Sequence, residues 1–429
     1  MNQTIKTRIE QIGRGEVPEG YKKTKVGIVP KDWAETRFKK MFSRLMRKNR
    51  EGNDNVLTIS AQYGLISQSD FFNKSIASED KSNYFLLHKG EFAYNKSYSN
   101  GYPYGALKRL DFYEKGIVSP LYICFAKTEE NKCSNFYAHY FEGGLMNKEI
   151  KAFAQEGARN HGLLNIAVED FFNAHLLNPP IKEQEKIAEI LSVQDKLISL
   201  KERLIEQKKQ QKKYLMQQLL TGKKRLPGFT GEWKNKKIKE VSCAVITGCT
   251  PTKKDNSLWD GDFPWITAQD FQGKYLNKSI GRLSLAGKER CRIVPAKSVL
   301  VTCIASIGLN AITNIECATN QQINAVVCEV EEISEYIYYC MDFYAERMKR
   351  LAGKTAVPIL SKTQFENIII SLPSDNNELK GVVLILSQAD KEIELLQKDL
   401  EEEKNKKKAL MQLLLTGIVR TEKLKGEII

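Results

Sequence analysis

The residue groups of this chain that could carry catalytic chemistry are few, and each lacks a partner that the chemistry requires. Asp375 followed by Glu378-Leu379-Lys380 contains the residue types of a metal-dependent nuclease. Such sites take the Asp and the Glu-x-Lys from well-separated strands, whereas this cluster lies at the predicted start of a helix. Thr221-Gly222-Lys223-Lys224 lacks the upstream glycine and the final Ser or Thr of a phosphate-binding loop. The sequence therefore predicts neither a nuclease nor a nucleotide site at these positions.

Asn178-Pro179-Pro180-Ile181 is similar to the Asn-Pro-Pro-aromatic signature of amino-group methyltransferases. In that signature the Asn and a backbone carbonyl hold the target amine, and the aromatic ring stacks on the base. Ile181 has no ring, so we expect the two prolines only to stop backward extension of a helix. His161 has no cysteine or carboxylate partner that spacing identifies, and the nine cysteines form no CxxC pair. The sequence thus predicts no catalytic residue and no metal site, as in a binding and scaffolding protein.

The charge and the loop residues favour a polyanionic partner. The chain of 429 residues carries a net charge of +14, and an excess of this sign suits contacts with phosphate groups. Polar, aromatic and basic side chains that follow or flank strand-like segments are the candidates for contact with such a partner. In the first half they are Asn95, Lys96, Ser97, Tyr98, Asn100 and Tyr102. In the second half they are Thr250, Thr252, Lys253, Lys254, Thr267, Gln269, Asp270, Ser306, Asn320, Gln321 and Gln322. Many of these residue types also form turns or buried structural amides, and that alternative applies most to Asn320-Gln321-Gln322.

These candidates lie in a chain that repeats itself. Leu191-Ser192-x-x-Asp195-Lys196 recurs as Leu386-Ser387-x-x-Asp390-Lys391, and Leu219-Leu220-Thr221-Gly222 recurs at the same offset as Leu414-Leu415-Thr416-Gly417. Trp33 and Trp233 also match, at a slightly different offset. One offset maintained over some thirty residues indicates a tandem duplication in which long variable parts alternate with shorter, better matched parts.

The matched parts are predicted helices. Residues 181–220 contain neither Pro nor Gly, and their apolar residues recur every three, four and seven positions. The second copy is predicted from about Asn377 to Leu415. A helix of about 60 Å with a single apolar stripe is too long for one domain face, so we expect the two copies to pair as an antiparallel coiled coil. The predicted pairing residues are Ile190, Leu197, Leu204, Leu386, Ile393 and Leu400. Two separate amphipathic helices, each packed on its own domain, are the alternative.

The variable parts alternate β-branched strand-like runs with polar loops, which predicts an α+β class. The predicted domains are an N-terminal segment (1–25), a first variable domain (26–177), a central helix (178–225), a second variable domain (226–372), a C-terminal helix (373–420) and a tail (421–429). No segment has the length and apolarity of a membrane span, and the first residues lack the apolar core of a signal peptide. We therefore expect a cytoplasmic protein with reduced thiols.

With the repeat established, the chain resembles the specificity (S) subunits of type I restriction–modification enzymes. The resemblance is carried by Leu219-Leu220-Thr221-Gly222 with Leu226-Pro227-Gly228-Phe229 and Gly231-Glu232-Trp233, by Pro179-Pro180-Ile181-x-Glu183-Gln184, and by Gly27-Ile28-Val29-Pro30-Lys31-x-Trp33. Thr247-Gly248-x-Thr250-Pro251, Pro264-Trp265-Ile266-Thr267 and Asn320-Gln321-Gln322-Ile323-Asn324 add to it in the second half. At the second helix the family's Pro-x-x-Glu-Gln is replaced by Pro373-Ser374-Asp375-Asn376-Asn377-Glu378.

The resemblance implies that two target-recognition domains each read one half of a split DNA sequence. It also implies that the paired helices set the spacing of the half-sites and bind two methyltransferase subunits. S-adenosylmethionine, ATP and Mg are then expected in partner subunits, with motor–nuclease subunits completing the complex, and no cofactor in this chain. A structural protein that bridges DNA without reading sequence is the alternative, which competition by unrelated duplex DNA would distinguish. A solitary methyltransferase ranks third, and labelled S-adenosylmethionine would test it.

Overall fold

The computed structural model describes residues 3–60, 64–69, 80–98, 101–129, 133–156, 164–353 and 356–421. The chain forms two compact units. Unit 1 comprises residues 1–200 and 400–429, and unit 2 comprises residues 201–399. Each long helix therefore contributes one part to each unit.

Unit 1 mixes short helices with short strands, and its first elements precede the first long helix. Its helices are α1 (Gln3–Gly13), α2 (Phe38–Met41), α3 (Ser134–Glu142), α4 (Asn147–Phe153), α5 (Val168–Asn173) and the beginning of α6 (Ile181–Leu219). Its strands are β1 (Tyr21–Lys23), β2 (Ile28–Pro30), β3 (Ala34–Arg37), β4 (Phe42–Leu45), β5 (Leu57–Ser60), β6 (Gly64–Ser67), β7 (Phe85–His88), β8 (Phe92–Asn95), β9 (Ala106–Arg109), β10 (Lys115–Val118), β11 (Ile123–Lys127), β12 (Gln155–Glu156), β13 (Leu164–Asn165) and β14 (His175–Asn178).

Unit 2 follows the same general plan. Its helices, after the end of α6, are α7 (Ile238–Val241), α8 (Leu285–Glu289), α9 (Glu331–Leu351), α10 (Lys362–Glu366) and most of α11 (Asn376–Leu414). Its strands are β15 (Trp233–Lys237), β16 (Ala244–Thr247), β17 (Trp259–Ile266), β18 (Tyr275–Leu276), β19 (Gly281–Leu283), β20 (Val299–Thr302), β21 (Asn310–Thr313), β22 (Ala318–Thr319), β23 (Ile323–Val327) and β24 (Ile369–Pro373).

An aromatic core holds unit 1 together. Its largest sheet has the antiparallel order β4-β11-β8-β9. Phe38, Phe42, Phe92, Phe125 and Phe171 are almost fully buried beside this sheet. The rings of Phe92 and Phe125 stack with centroids 5.2 Å apart, a geometry that adds to the stabilisation from burial alone. The sheet therefore provides a rigid base for the loops at its ends.

Unit 2 is built on a larger sheet with fewer aromatic residues. The strand order is β16-β23-β20-β21-β18, and every pair is antiparallel except β18 with β21. Val299, Val301, Ile312 and Val326 are buried on the side that packs against α9 and α11. At the domain base β24 pairs with β15, as β14 pairs with β3 in unit 1. The repeat seen in the sequence therefore extends to the strand pairing.

The long helices run antiparallel within each unit. In unit 1, Gln194 Nε2 donates to Glu403 Oε2 at 2.6 Å, and Lys407 Nζ lies 2.5 Å from Asp195 Oδ1. In unit 2 the ion pairs are Lys208–Glu392 at 2.6 Å and Lys212–Asp390 at 2.7 Å. In unit 2 the partner numbers on α11 therefore fall as those on α6 rise. Unit 1 shows the same order, since Glu183 at the start of α6 binds Arg420 beyond the end of α11, whereas Gln194 binds Glu403. The predicted α+β class, the antiparallel helix pair and the internal repeat are confirmed.

The buried stripe of α6 contains Leu191 and Ile205, each one position C-terminal to a predicted pairing residue. Ile190 and Leu197 are half-buried and Leu204 is 38% exposed, whereas Leu191 and Ile205 are 0% and 5% exposed. Leu204 is therefore at the border of the buried stripe, which Leu191 and Ile205 follow more closely. On α11 the residues Leu386, Ile393 and Leu400 are buried, and the pairing role of the six residues stays a prediction.

The boundaries of α6 and α11 lie within one residue of the sequence-based ones. Asp375 begins α11, since its carboxylate accepts a hydrogen bond from the Asn377 N–H at 2.7 Å. The predicted domain boundaries remain predictions. Among the described residues, no helix has the length and hydropathy that a bilayer crossing requires.

Candidate nucleic-acid interface

In unit 2, three strand ends bring most of the predicted contact residues to one edge of the sheet. Strand β16 ends at Thr247, β20 ends at Thr302, and β23, which lies between them, begins at Ile323. Because both neighbours are antiparallel to β23, the loops at these ends share an edge. This edge, which we call the loop edge of unit 2, contains Thr250, Thr252, Lys253, Lys254, Ser306, Asn320, Gln321 and Gln322.

Backbone and indole hydrogen bonds fix the loop that follows β16. The N–H of Cys249 donates to the Thr319 carbonyl at 2.8 Å. The Nε1 of Trp265 donates to the Cys249 carbonyl at 3.2 Å, and the Nε1 of Trp259 donates to the Thr252 carbonyl at 3.1 Å. The two indole rings meet edge to face at 4.9 Å. The loop is therefore held in one conformation, so little order has to be imposed when a ligand binds.

The close approach of this loop to β22 requires a glycine. A Cβ on Gly248 would lie 2.2 Å from the carbonyl oxygen of Asn320. The Thr250 hydroxyl then reaches Gln321 Oε1 in a short hydrogen bond. Lys253 and Lys254 are exposed, and no ion pair in the described part of the chain includes either of them. Two cations thus stand at the loop edge with their charges available to a phosphate group.

The three amides at the start of β23 differ in what they can still bind. Asn320 Nδ2 donates to Gln322 Oε1 at 3.1 Å, and Asn320 Oδ1 accepts from the Gln322 N–H at 3.1 Å. These two side chains therefore stabilise the turn, which is the structural role that the alternative in the sequence analysis gives to this segment. Gln321 is exposed and keeps its Nε2 group available, so it is the amide of this segment best placed to meet a base edge.

The loop after β17 also reaches this region, since the Asn320 N–H donates to the Ile266 carbonyl at 3.1 Å. Thr267 is half-buried and Gln269 is exposed. Asp270 is only 7% exposed, and its carboxylate accepts from the N–H groups of Thr267 and Ile280 at 2.7 Å each. Asp270 therefore holds the loop together, and its oxygens face protein donors.

The hairpin between β20 and β21 presents Ser306 in a strained turn. Ala305 adopts φ 62°, a conformation that a residue with a Cβ adopts at an energetic cost. The Ala305 N–H donates to the Pro358 carbonyl at 3.0 Å, and Thr302 Oγ1 accepts from the Leu309 N–H at 3.0 Å. Ser306 is exposed at the tip. The surrounding bonds thus stabilise a turn that the sequence alone does not favour.

Sequence reasoning missed two arginines beside this edge. The Cys249 thiol donates to the Arg290 carbonyl at 3.5 Å, so the turn that contains Arg290 and Arg292 packs against the β16 loop. Both arginine side chains are exposed. The alternation of Arg290, Cys291 and Arg292 is the only signal in the sequence, and only the fold places this turn against the loop that carries Lys253 and Lys254.

In unit 1 the predicted contact residues lie in the loop between β8 and β9, where Asn95 pairs with Ala106. Asn95 Oδ1 accepts from the Ser97 N–H at 3.0 Å, and Lys96 is half-buried. Tyr98 is 61% exposed, so its ring is available for stacking or groove contacts. Asn100 lies outside the described residues.

Tyr102 has a structural role in the same loop. Its hydroxyl donates to Glu142 Oε1 at 2.6 Å, and Lys108 Nζ lies 4.8 Å from the ring centroid. Burial, followed by the Glu142 carboxylate, raises the pKa of Tyr102 well above its ordinary value. The hydroxyl thus stays protonated and committed to Glu142, so Tyr98 and Lys96 are the accessible members of the unit 1 set.

The groups that could have indicated catalysis have structural partners. Asn178 Oδ1 accepts from Tyr137 Oη at 3.0 Å and from Gln184 Nε2 at 2.9 Å, which fixes the entry to α6. The Glu378 carboxylate accepts hydrogen bonds from Arg225 Nε and Trp233 Nε1, and the residue is fully buried. His161 lies outside the described residues. Within the described ranges, no three His, Cys, Asp or Glu residues are grouped so that they could hold a metal ion.

Comparison with known proteins gives a consistent result. The family model of the type I restriction modification DNA specificity domain matches residues 30–210 and again residues 230–404. A protein assigned as the MjaX specificity subunit of a type I restriction enzyme from Methanocaldococcus jannaschii is 23% identical, over 94% of this chain and 97% of its own length. The MjaIX specificity subunit of the same organism is 32% identical, over 38% of this chain and 39% of its own.

A chain from a solved structure on complex assembly and conformational transition of the type I R-M system superposes with a TM-score of 0.59. It is 16% identical, and the match covers 91% of this chain and 99% of that chain, so the likeness concerns the fold. The duplicated sequence, the two loop-bearing units and the two family matches agree, and the chain belongs to the type I restriction modification DNA specificity family.

Proposed function

We propose that this chain is the subunit that selects the DNA sequence in a type I restriction–modification complex, each unit reading one half of a two-part target. The observation that carries the proposal is the loop edge of unit 2. There, a preorganised loop presents Lys253 and Lys254 beside Thr250 and Gln321. Cations that contact phosphates set the position of a protein on the duplex, and amide and hydroxyl groups read base edges.

The division of roles among these residues follows from their chemistry. Lys253, Lys254, Arg290 and Arg292 contact phosphates, because all are exposed and none has an ion pair in the described part of the structure that would have to be broken. Gln321 and Gln269 are the amides available for bidentate contact with adenine, which offers N6 and N7 in the major groove. In unit 1 Lys96 contacts a phosphate, and the exposed ring of Tyr98 makes stacking or groove contacts.

The chemistry of the system belongs to partner subunits in this proposal. Two methyltransferase subunits, docked on the paired helices, hold S-adenosylmethionine and methylate adenine. Motor–nuclease subunits use ATP and Mg to translocate and cut unmodified DNA. The helices set the separation of the half-sites. A complex that acts on chromosomal and incoming DNA works in the cytoplasm.

Mapping adenine methylation in the host genome, with and without this gene, tests the proposal. The expected result is a two-part methylated motif with an unspecified spacer that disappears when the gene is deleted. Double substitution of Lys253 and Lys254 by Ala in the chromosomal gene should reduce methylation at the same motif without creating a new one. A methylation pattern unaffected by deletion of the gene would overturn the proposal.

A further inference from the structure

Two cysteines of unit 2 lie in mutual contact beside the loop edge. Cys249 Sγ donates to the Arg290 carbonyl at 3.5 Å, and Cys291 Sγ lies 3.9 Å from the Cys249 carbonyl. Both residues are partly exposed. Burial, followed by a hydrogen bond with the Cys249 thiol, raises the pKa of Cys291 to about 12. Each thiol thus contacts the backbone of the segment that carries the other, and both residues are accessible enough for a small oxidant to reach them.

Of the other cysteines in the sequence, Cys124, Cys303, Cys317 and Cys340 are buried. Cys133 is partly exposed, and the buried Cys124 is the only other cysteine in the sequence of unit 1. Cys243 and Cys328 continue the antiparallel register from Ala244 and Val327, so they are neighbours at the far end of the β16–β23 pair. This second pair lies at the opposite edge of the sheet and provides a reference within the same chain.

We propose that Cys249 and Cys291 form a redox modification site, at which a peroxide converts the two thiols into a disulfide and thereby weakens DNA binding by unit 2. The DNA-binding part of this inference rests on the proposed function, whereas disulfide formation itself does not.

The reaction balances with hydrogen peroxide as the oxidant. The Cys249 sulfur, after losing its proton to solvent, attacks one peroxide oxygen, the O–O bond breaks, and hydroxide leaves and takes up a proton. The Cys291 sulfur attacks the resulting sulfenic acid and gives up its proton, which the raised pKa retains until this step, to the departing oxygen. The S–S bond forms, the S–O bond breaks, and a second hydroxide leaves as water. Two thiols and one peroxide thus give one disulfide and two waters.

Disulfide formation must move the loop that the indoles hold. The sulfur atoms of a disulfide are about 2.05 Å apart, which is closer than two thiols in hydrogen-bond contact. The two thiols have to leave the Arg290 and Cys249 carbonyls that they now contact, and the accompanying movement at Cys249 disturbs the Trp265 bond to its carbonyl. Lys253, Lys254 and Arg292 then leave the positions that suit the phosphates. Losing about one such contact weakens binding roughly fivefold to tenfold.

The first experiment treats the full chain with hydrogen peroxide, blocks the remaining thiols, and maps disulfides by peptide mass spectrometry. The expected link joins Cys249 and Cys291, and it disappears on treatment with a thiol reductant. Cys291→Ser abolishes the link, whereas Cys243→Ser, the matched control, leaves it intact. A Cys243–Cys328 link in place of the expected one would overturn the assignment, and so would a failure of either thiol to oxidise.

The second experiment measures binding to a labelled 40-base-pair duplex of mixed sequence at low salt, where phosphate contacts dominate. Peroxide should weaken binding by the wild-type chain and by Cys243→Ser, reductant should restore it, and Cys291→Ser should not respond. An unchanged affinity after complete Cys249–Cys291 disulfide formation would overturn the coupling. If the reduced chain did not bind the duplex at all, both the proposed function and the effect of the disulfide on DNA binding would be contradicted. The mass-spectrometric map would still decide whether Cys249 and Cys291 form a disulfide.

Discussion

Arg225 and Glu378 form a two-point ion pair in unit 2, and Arg420 and Glu183 repeat it in unit 1. In unit 2 the Nε and Nη2 atoms of the arginine donate to the two carboxylate oxygens at 2.6 and 2.7 Å. In unit 1 both distances are 2.8 Å. In each unit the glutamate lies in the first turn of one long helix, and the arginine follows the end of the other. Each long helix thus carries a glutamate at its start that binds the arginine following the other long helix.

A tryptophan completes each site. Trp33 Nε1 donates to Glu183 Oε2 at 2.8 Å, and Trp233 Nε1 donates to Glu378 Oε2 at 3.3 Å. Both glutamates are buried, at 5% and 0% exposure. A buried carboxylate is tolerated only when it is paired and hydrogen-bonded. The glutamate, arginine and tryptophan of each site therefore depend on one another, and together they join the base of the domain to both long helices.

Glu378→Ala should lower the free energy of unfolding of unit 2 by about 3 kcal/mol, because it leaves the Arg225 guanidinium and the Trp233 N–H without their acceptor. Urea denaturation followed by tryptophan fluorescence measures the effect, since Trp233, Trp259 and Trp265 belong to unit 2. Glu394→Ala, which removes an exposed carboxylate from the same helix, should change stability little. Equal stability of the two variants would contradict the role assigned to Glu378.

The sequence predicted the long helices well because their signals are local. Absence of Pro and Gly together with a regular apolar spacing identified α6, and the apolar spacing identified α11 despite Gly381, each within one residue at each end. The departure of Asp375-Asn376-Asn377-Glu378 from the family pattern did not alter the outcome, because Asp375 supplies an N-cap and Glu378 keeps its position relative to the helix.

The loop edge could be predicted only in part, because its members come from distant segments. The basic turn at Lys253 and the polar segment at Gln321 were recognised from residue type. The structural roles of Asp270 and Tyr102, and the proximity of Arg290 to Cys249, depend on strand order and loop packing. A single sequence does not determine these, since partners lie tens of residues apart and each loop could close in other ways.

His139 should make the stability of unit 1 depend on pH. It is 8% exposed, and burial lowers its pKa to about 4, although Asp195 opposes the shift and Lys407 and Arg109 reinforce it. The unfolded chain binds the proton near pH 6.5. The stabilisation is therefore complete above pH 6.5 and is lost as the pH falls toward 4, by about 2–3 kcal/mol.

Urea denaturation of the wild type and of His139→Gln at several pH values measures this loss. The difference in unfolding free energy between the two proteins should change between pH 6.5 and 4 and stay constant above pH 7. Other carboxylates titrate in both proteins alike, so they cancel in the difference. A difference independent of pH would show that His139 does not titrate as burial predicts.

Lys254→Ala should weaken binding to all duplex sequences alike, because a phosphate contact carries no base information. The plot of log affinity against log salt should lose about one unit of slope. Fluorescence anisotropy at several salt concentrations measures both quantities. Lys278→Ala is the matched control, since Lys278 is exposed and follows β18 at the opposite edge of the same sheet. An equal effect of both substitutions would indicate only general charge attraction.

Exchange of one recognition domain should change one half of the target and leave the other half intact. The buried residues of the unit 1 core come from segments up to residue 191 and from residue 411 onward, whereas those of the unit 2 core lie between residues 216 and 386. Because each unit has its own core and its own loops, their contributions to binding should add. Replacing residues 26–177 by the corresponding domain of a relative, and mapping the methylated adenines, tests this. The half read by unit 2 should persist unchanged, together with the spacer. A simultaneous change in both halves would mean that the two units do not read DNA independently.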